Sequence, residues 1–155
     1  MPGNCILSII VPLAVDETHG RELLDDLAAL RVSSEVILVR SCSGELALTR
    51  PSAWPDTIRL EQCESATGRA AQMNAGARRA QGRWLWFLHA DTRMAASALS
   101  ELERFVARNE DALGWFDLAF RDDGPALTRL NAFGARLRSR WFCLPFGDQG
   151  FVFPA

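Results

Sequence analysis

Five consecutive hydrophobic residues, Trp84-Leu85-Trp86-Phe87-Leu88, lead directly into His89-Ala90-Asp91-Thr92. An imidazole and a carboxylate therefore stand two positions apart at the end of a buried run. Where strands and helices alternate, ligands bind beyond the carboxyl ends of the strands. A carboxylate there can hold Mg²⁺ or Mn²⁺ through oxygen while diphosphate oxygens fill the ion's other positions. The same carboxylate can instead cap the next helix, and spacing alone admits both roles. Two further segments come directly after apolar runs, Pro12–Glu17 and Arg40–Gly44. None of the three is followed by G-x-G-x-x-G, which argues against a nicotinamide or flavin dehydrogenase.

The elements that must position these residues are legible from hydrophobic pattern. Ile6–Val11, Glu35–Val39 and Trp84–Leu88 are near-continuous apolar runs, as strands buried on both faces require. Thr57–Leu60, Trp115–Phe120 and Phe151–Phe153 read as further strands. Glu22–Leu30 places Leu23, Leu24, Leu27 and Leu30 at helical spacing. Thr67–Ala80 is an Ala-rich helix closed by Gly82, Ser97 caps a helix through Arg108, and Leu127–Trp141 is a basic helix. The alternation predicts an α/β fold: a mostly parallel sheet with helices on both faces.

At 155 residues the chain has the length of one domain. Its net charge of −2 gives no reason to expect nucleic-acid binding. All 17 basic residues are Arg. Without Lys, Walker-type phosphate binding and Schiff-base chemistry are excluded, and an anion must be held by Arg, backbone N–H groups or a metal. Cys5, Cys42, Cys63 and Cys143 form no C-x-x-C pair and read as reduced core residues, as in a cytoplasmic protein. No stretch has the length and apolarity of a membrane span.

Four segments in order carry a resemblance. They are Leu7-Ser8-Ile9-Ile10-Val11-Pro12, Gly68-Arg69-Ala70-Ala71-Gln72-Met73-Asn74-Ala75-Gly76-Ala77, Leu88-His89-Ala90-Asp91-Thr92, and Leu144-Pro145-Phe146-Gly147-Asp148-Gln149-Gly150. Together they resemble family 2 glycosyltransferases, and within them the bacterial radical-SAM/selenodomain-associated branch. The resemblance implies a GT-A, nucleotide-diphospho-sugar transferase fold and metal-dependent, inverting transfer of a sugar to an unknown acceptor. It implies that Asp91 matches the last carboxylate of the family's metal motif. His89 stands at the first, as a second metal ligand, a polar contact to the nucleotide, or a hydrogen-bonded imidazole. Pro12, Glu17, Arg69 and Asn74 fall on the nucleotide-sugar side, with a divalent cation, Mn²⁺ or Mg²⁺, as cofactor.

The chain also departs from the family's pattern. The segment after Pro12 is one residue longer, with Asp16-Glu17 in place of Asn-Glu. Arg40 stands where relatives carry a carboxylate that reads the nucleobase; an Arg has donors only, so the donor nucleotide is left open. Inverting transfer needs a base, and the family's Glu-Asp motif lies downstream of Ala155. The chain thus reads as one domain over 1–155 lacking the family's C-terminal segment, with Asp148 the available candidate for a catalytic carboxylate. In the Leu127–Trp141 helix, Arg129, Arg136, Arg138 and Arg140 are interleaved with Leu130, Phe133, Leu137 and Trp141. Such a helix from Arg129 to Trp141 either packs one apolar face or touches the inner face of a membrane. A non-catalytic nucleotide-sugar-binding or structural domain is the competing reading. A nucleotidyltransferase is a third, disfavoured because Pro12–Gly20 lacks a Gly-rich loop with Arg or Lys.

Overall fold

The computed structural model describes residues 5–14, 20–41, 48–108, 111–116 and 150–155. Strand β1 (Leu7–Pro12) is followed by helix α1 (Gly20–Leu27), then β2 (Ser34–Ser41) and β3 (Ile58–Ser65). Helix α2 (Arg69–Arg79), strand β4 (Trp84–Phe87), helix α3 (Ala96–Arg108) and strand β5 (Val152–Pro154) complete the order. The sheet runs β3-β2-β1-β4-β5. The first four strands are parallel, and β5 joins β4 antiparallel. The fold is the expected α/β architecture.

The apolar runs form central strands because both faces of the sheet are covered. Leu7, Ile9, Val11, Val36, Leu38, Trp84 and Trp86 pack with Leu23, Leu24 and Leu27 of α1 and Leu99, Leu102 and Val106 of α3. On the other face Ile10, Ile37, Val39 and Leu85 meet Ala75, Ala77 and Ala80 from α2 and its end. Small residues on α2 bring its backbone close to the sheet. A Cβ at Gly76 would lie 2.5 Å from Ile10 Cγ2 and 3.0 Å from Val39 Cγ2, so the position has no room for one.

Several boundaries differ from expectation for identifiable reasons. Strand β3 runs on to Ser65 through Glu61, Gln62 and Glu64, because it is an edge strand whose outer positions meet water. Helix α3 starts at Ala96, with Ala98 N and Leu99 N bonding Ala95 O at 2.9 and 3.2 Å; Ser97 lies inside the first turn and caps nothing. Helix α2 ends at Arg79, and Ala80 is its cap, its N–H reaching Gly76 O at 3.1 Å. Gly82 does not close α2; it lies against β1, where a Cβ would meet Ser8 N at 2.6 Å. Of the expected Trp115–Phe120 strand, the two described residues are not in a strand, and Gly114 just before them makes one antiparallel bridge to Val152.

A buried polar knot fixes the amino edge of the sheet. Glu35 is fully buried, and its Oε1 accepts from Ser8 Oγ at 2.5 Å and from Gln81 N at 2.6 Å. Ser8 Oγ in turn accepts from Gly82 N at 2.8 Å. Arg59 Nη2 lies 3.9 Å from Glu35 Oε2, an ion pair too long to be a hydrogen bond. The knot joins β1, β2 and the turn before β4, and so sets where β4 enters the sheet.

Candidate functional site at the β1–β4 switch

Strand order reverses at β1: β2 and β3 lie to one side, and β4 lies to the other. Chains leaving β1 and β4 lead to α1 and α3 on one face of the sheet, with α2 on the other, and in such sheets ligands bind in the crevice at the carboxyl ends of the strands. Backbone bonds hold the lip of this crevice. Leu88 N bonds Ile10 O at 3.1 Å, and Leu13 N bonds Val39 O at 2.8 Å. Gln72 of α2, itself buried, donates from Nε2 to Leu13 O at 2.7 Å and to Val39 O at 2.9 Å. One side-chain amide thus ties the helix to the ends of both central strands.

Asp91 lies at the end of β4, exposed and without a polar partner among the described residues. Thr92 N closes a turn onto His89 O at 3.1 Å. Helix α3 begins only at Ala96, so Asp91 does not cap it. Of the two roles the spacing admits, the capping one is removed.

The segment after Asp91 is anchored to α1. Arg93 grips Asp26 with two bonds, Nε to Oδ2 at 2.8 Å and Nη2 to Oδ1 at 3.0 Å, and reaches Glu22 Oε2 with Nη1 at 2.8 Å. Met94 N adds a bond to Asp26 Oδ2 at 2.9 Å. Hydrogen bonding from Arg93 holds the Asp26 carboxyl below its usual value, against the opposing effect of burial and with help from Met94 N–H. A depressed folded pKa means stabilisation that is present above the unfolded value, about 3.9, and lost as pH falls through the folded one. Asp26→Asn should therefore lower the melting temperature at pH 7, and its difference from the native chain should shrink as pH drops from about 5 toward 3. A difference that stays constant over that range would show that Asp26 is not the group responsible.

Arg69 opens α2 beside Gly68, whose φ of 121° and ψ of 135° suit only a residue without a Cβ. The guanidinium of Arg69 meets His89 Nε2, which acts as acceptor. With Nε2 accepting, the proton of the neutral ring sits on Nδ1, so this imidazole has a lone pair for a metal only where Arg69 releases Nε2. Asn74 is exposed on α2, five residues from Arg69 and about 140° round the helix from it. Pro12 is buried as the last residue of β1, opposite Val39. Arg40 pairs with Glu64, its direct neighbour on β3.

The structure thus gathers Arg69, His89 and Asp91 at one sheet edge, with Pro12 at the adjoining strand end. Glu17, Asp148 and the helix expected from Arg129 to Trp141 lie outside the described residues. Arg93 and Asp26 lie outside every motif segment, and Gln72 lies within the second without a role read for it. Among the described residues no group of three or more His, Cys, Asp and Glu side chains could enclose a metal ion. Nor, among them, is any helix long and apolar enough to cross a membrane.

Comparison with solved structures identifies the fold. The mannosyltransferase PcManGT from Pyrobaculum calidifontis, in complex with GDP-Man and Mn²⁺, aligns with a TM-score of 0.64 at 22% identity, covering 96% of this chain and 44% of that one. Residues 1–349 of TarS from S. aureus, in complex with UDP-GlcNAc, align with a TM-score of 0.62 at 20% identity over 78% of this chain and 36% of that one. Glucosyl-3-phosphoglycerate synthase from Mycobacterium tuberculosis, in complex with UDP, gives 0.56 at 14% identity over 97% and 57%. The chain spans less than two thirds of each, and at these identities the likeness establishes the GT-A type of fold. A search of curated proteins found no match. The model of glycosyl transferase family 2 matches residues 8–151, nearly the whole sequence, and the chain belongs to that family.

Proposed function

We propose that this chain forms the donor half of a metal-dependent, inverting glycosyltransferase of the radical-SAM/selenodomain-associated branch, acting on a nucleotide-diphospho-sugar. The observation that carries the reading is Asp91, an exposed carboxylate at the switch between β1 and β4 without a polar partner among the described residues. The neighbours seen with UDP-GlcNAc, GDP-Man and UDP support a donor of the same chemical class.

The donor set fits a divalent ion shared with substrate. Asp91 offers carboxylate oxygens, and His89 would ligate through the Nε2 lone pair that Arg69 gives up on turning to the diphosphate. One carboxylate and one imidazole suit Mn²⁺ or Mg²⁺ whose remaining positions go to diphosphate oxygens and water. Bound there, the ion supplies charge that stabilises the departing diphosphate.

The chain's own residues supply the rest. Arg69 directs its guanidinium toward the same anion, the role that the absence of Lys leaves to Arg. Before donor and metal bind, His89 holds Arg69 in place by accepting from it. Pro12, Glu17 and Asn74 belong to the nucleoside side, and Asp148 is the carboxylate assigned to the acceptor side. Arg40 is already paired with Glu64, so the nucleobase is read by other groups. The free, buried thiols of Cys5 and Cys63 suit a cytoplasmic enzyme.

Calorimetric titration with UDP, GDP and their sugars, with and without Mn²⁺, tests the assignment. Saturable binding that strengthens with Mn²⁺ is expected for at least one nucleotide. Absence of binding by all of them in the presence of the metal would remove the donor site.

A further inference from the structure

We infer that Arg93 is a positioning residue of this site: it clamps the segment that carries Asp91 onto α1, and so fixes the carboxylate relative to the β1 side of the crevice. The inference rests on the donor-site reading above. Between the end of β4 at Phe87 and the start of α3 at Ala96 no regular element holds the backbone. The turn bond from Thr92 N to His89 O constrains only its first part. Arg93 and Met94 supply the rest. Three guanidinium donors reach two carboxylates at 2.8 to 3.0 Å, and Met94 N donates to Asp26 at 2.9 Å.

Those carboxylates, Glu22 and Asp26, lie four residues apart on α1, hence on one face of the helix. Helix α1 is the next element after β1 in the chain. The clamp therefore ties the segment leaving β4 to the helix next after β1, which packs on the same face of the sheet as α3. A planar guanidinium can bridge two carboxylates in a fixed orientation, whereas an ammonium is a point charge without that geometry. The three side chains are partly exposed, at 46% for Arg93, 47% for Glu22 and 15% for Asp26. Pairs so accessible contribute little to global stability. Their effect falls on local geometry, where a ligand set displaced by about half an ångström loses affinity.

The test compares Arg93→Ala and Arg93→Lys with the native chain and with Arg104→Ala, which removes an exposed pair with Glu101 on α3. UDP and GDP are titrated at saturating Mn²⁺ well below the melting temperature, and melting temperatures are measured alongside. Arg93→Ala should weaken metal-dependent binding about tenfold, the scale seen when supports of metal ligands are removed. Its melting temperature should fall by no more than a few degrees. Arg93→Lys should fall between it and the native chain, and Arg104→Ala should match the native chain in both readouts. Without nucleotide, amide exchange at Thr92 and Met94 should quicken in Arg93→Ala, a change that reports the clamp itself.

Native-like affinity in Arg93→Ala, or a loss no larger than its unfolded fraction explains, overturns the positioning role. Should Arg93→Ala fail to fold, Glu22→Ala removes one arm and leaves the Asp26 pair intact. That variant should bind more weakly than the native chain, and unchanged affinity in it would equally overturn the proposal. A native chain that binds no nucleotide sinks both the donor-site reading and the clamp, whereas a native chain that binds beside unaffected variants sinks the clamp alone.

Discussion

Asp91→Ala should weaken Mn²⁺-dependent nucleotide binding on the order of a hundredfold, since a hard divalent ion depends on carboxylate oxygen for its hold on the protein. Metal-free binding should be nearly unchanged, because the residual contacts through Arg69 and the strand ends do not involve this side chain. Linkage makes the test two-sided: the factor by which Mn²⁺ tightens the nucleotide must equal the factor by which the nucleotide tightens Mn²⁺. In the alanine variant both factors should collapse toward one. The side chain is exposed and has no polar partner among the described residues, so the melting temperature should move little. A variant that keeps the native metal dependence would show that the ion, if bound, is held elsewhere.

The second large effect is on stability, at the opposite edge of the sheet. Glu35→Ala should destabilise the chain by about 3–5 kcal/mol. Ser8 Oγ and Gln81 N both lose their acceptor. A buried donor left unpaired costs roughly 1–3 kcal/mol, and deletion of the fully buried stem adds a cavity. Glu35→Gln keeps a carbonyl oxygen in the place of Oε1 and should lose clearly less. Glu35→Leu restores volume but neither hydrogen bond, so it should fall near the alanine variant. Urea denaturation of the three variants gives this order directly; Leu as stable as Gln would mean that volume, and not hydrogen bonding, is what Glu35 contributes.

How much of this is legible in the sequence depends on whether the cause is local. Leu7–Pro12 and Trp84–Phe87 announce themselves because strands covered on both faces must be apolar throughout. Strand β3 looks shorter in the sequence than it is, because its polar outer positions answer to solvent and not to the core. Ser97 carries a capping residue type, yet the turn forms on Ala95, and propensity is a weak prior against tertiary packing. Gly82 has the look of a stop for the helix before it, whereas its constraint comes from Ser8, 74 positions away.

The same division holds at the site. Asp91, His89 and Arg69 stand in conspicuous segments and can be named from type and spacing. Arg93 cannot, because its partner Asp26 is 67 positions distant and any surface Arg looks alike in a string. Gln72 is hidden for a similar reason: its two acceptors are backbone carbonyls, 59 and 33 positions away, which carry no side-chain signature. Composition excludes whole chemistries through the absence of Lys, but geometry is needed to show that Arg40 is paired with Glu64.

Gly76 has a reach that its size conceals. Methyl carbons of Ile10 and Val39 occupy the place a side chain would need, so the helix rests on the sheet at that point as a beam rests on a pivot. Arg69 lies seven residues up the same beam, roughly 10 Å away. A methyl wedged under the pivot would tilt the far end, and the guanidinium would swing off His89. The placing of that guanidinium is thus guarded partly by a residue with no side chain, buried beneath the helix.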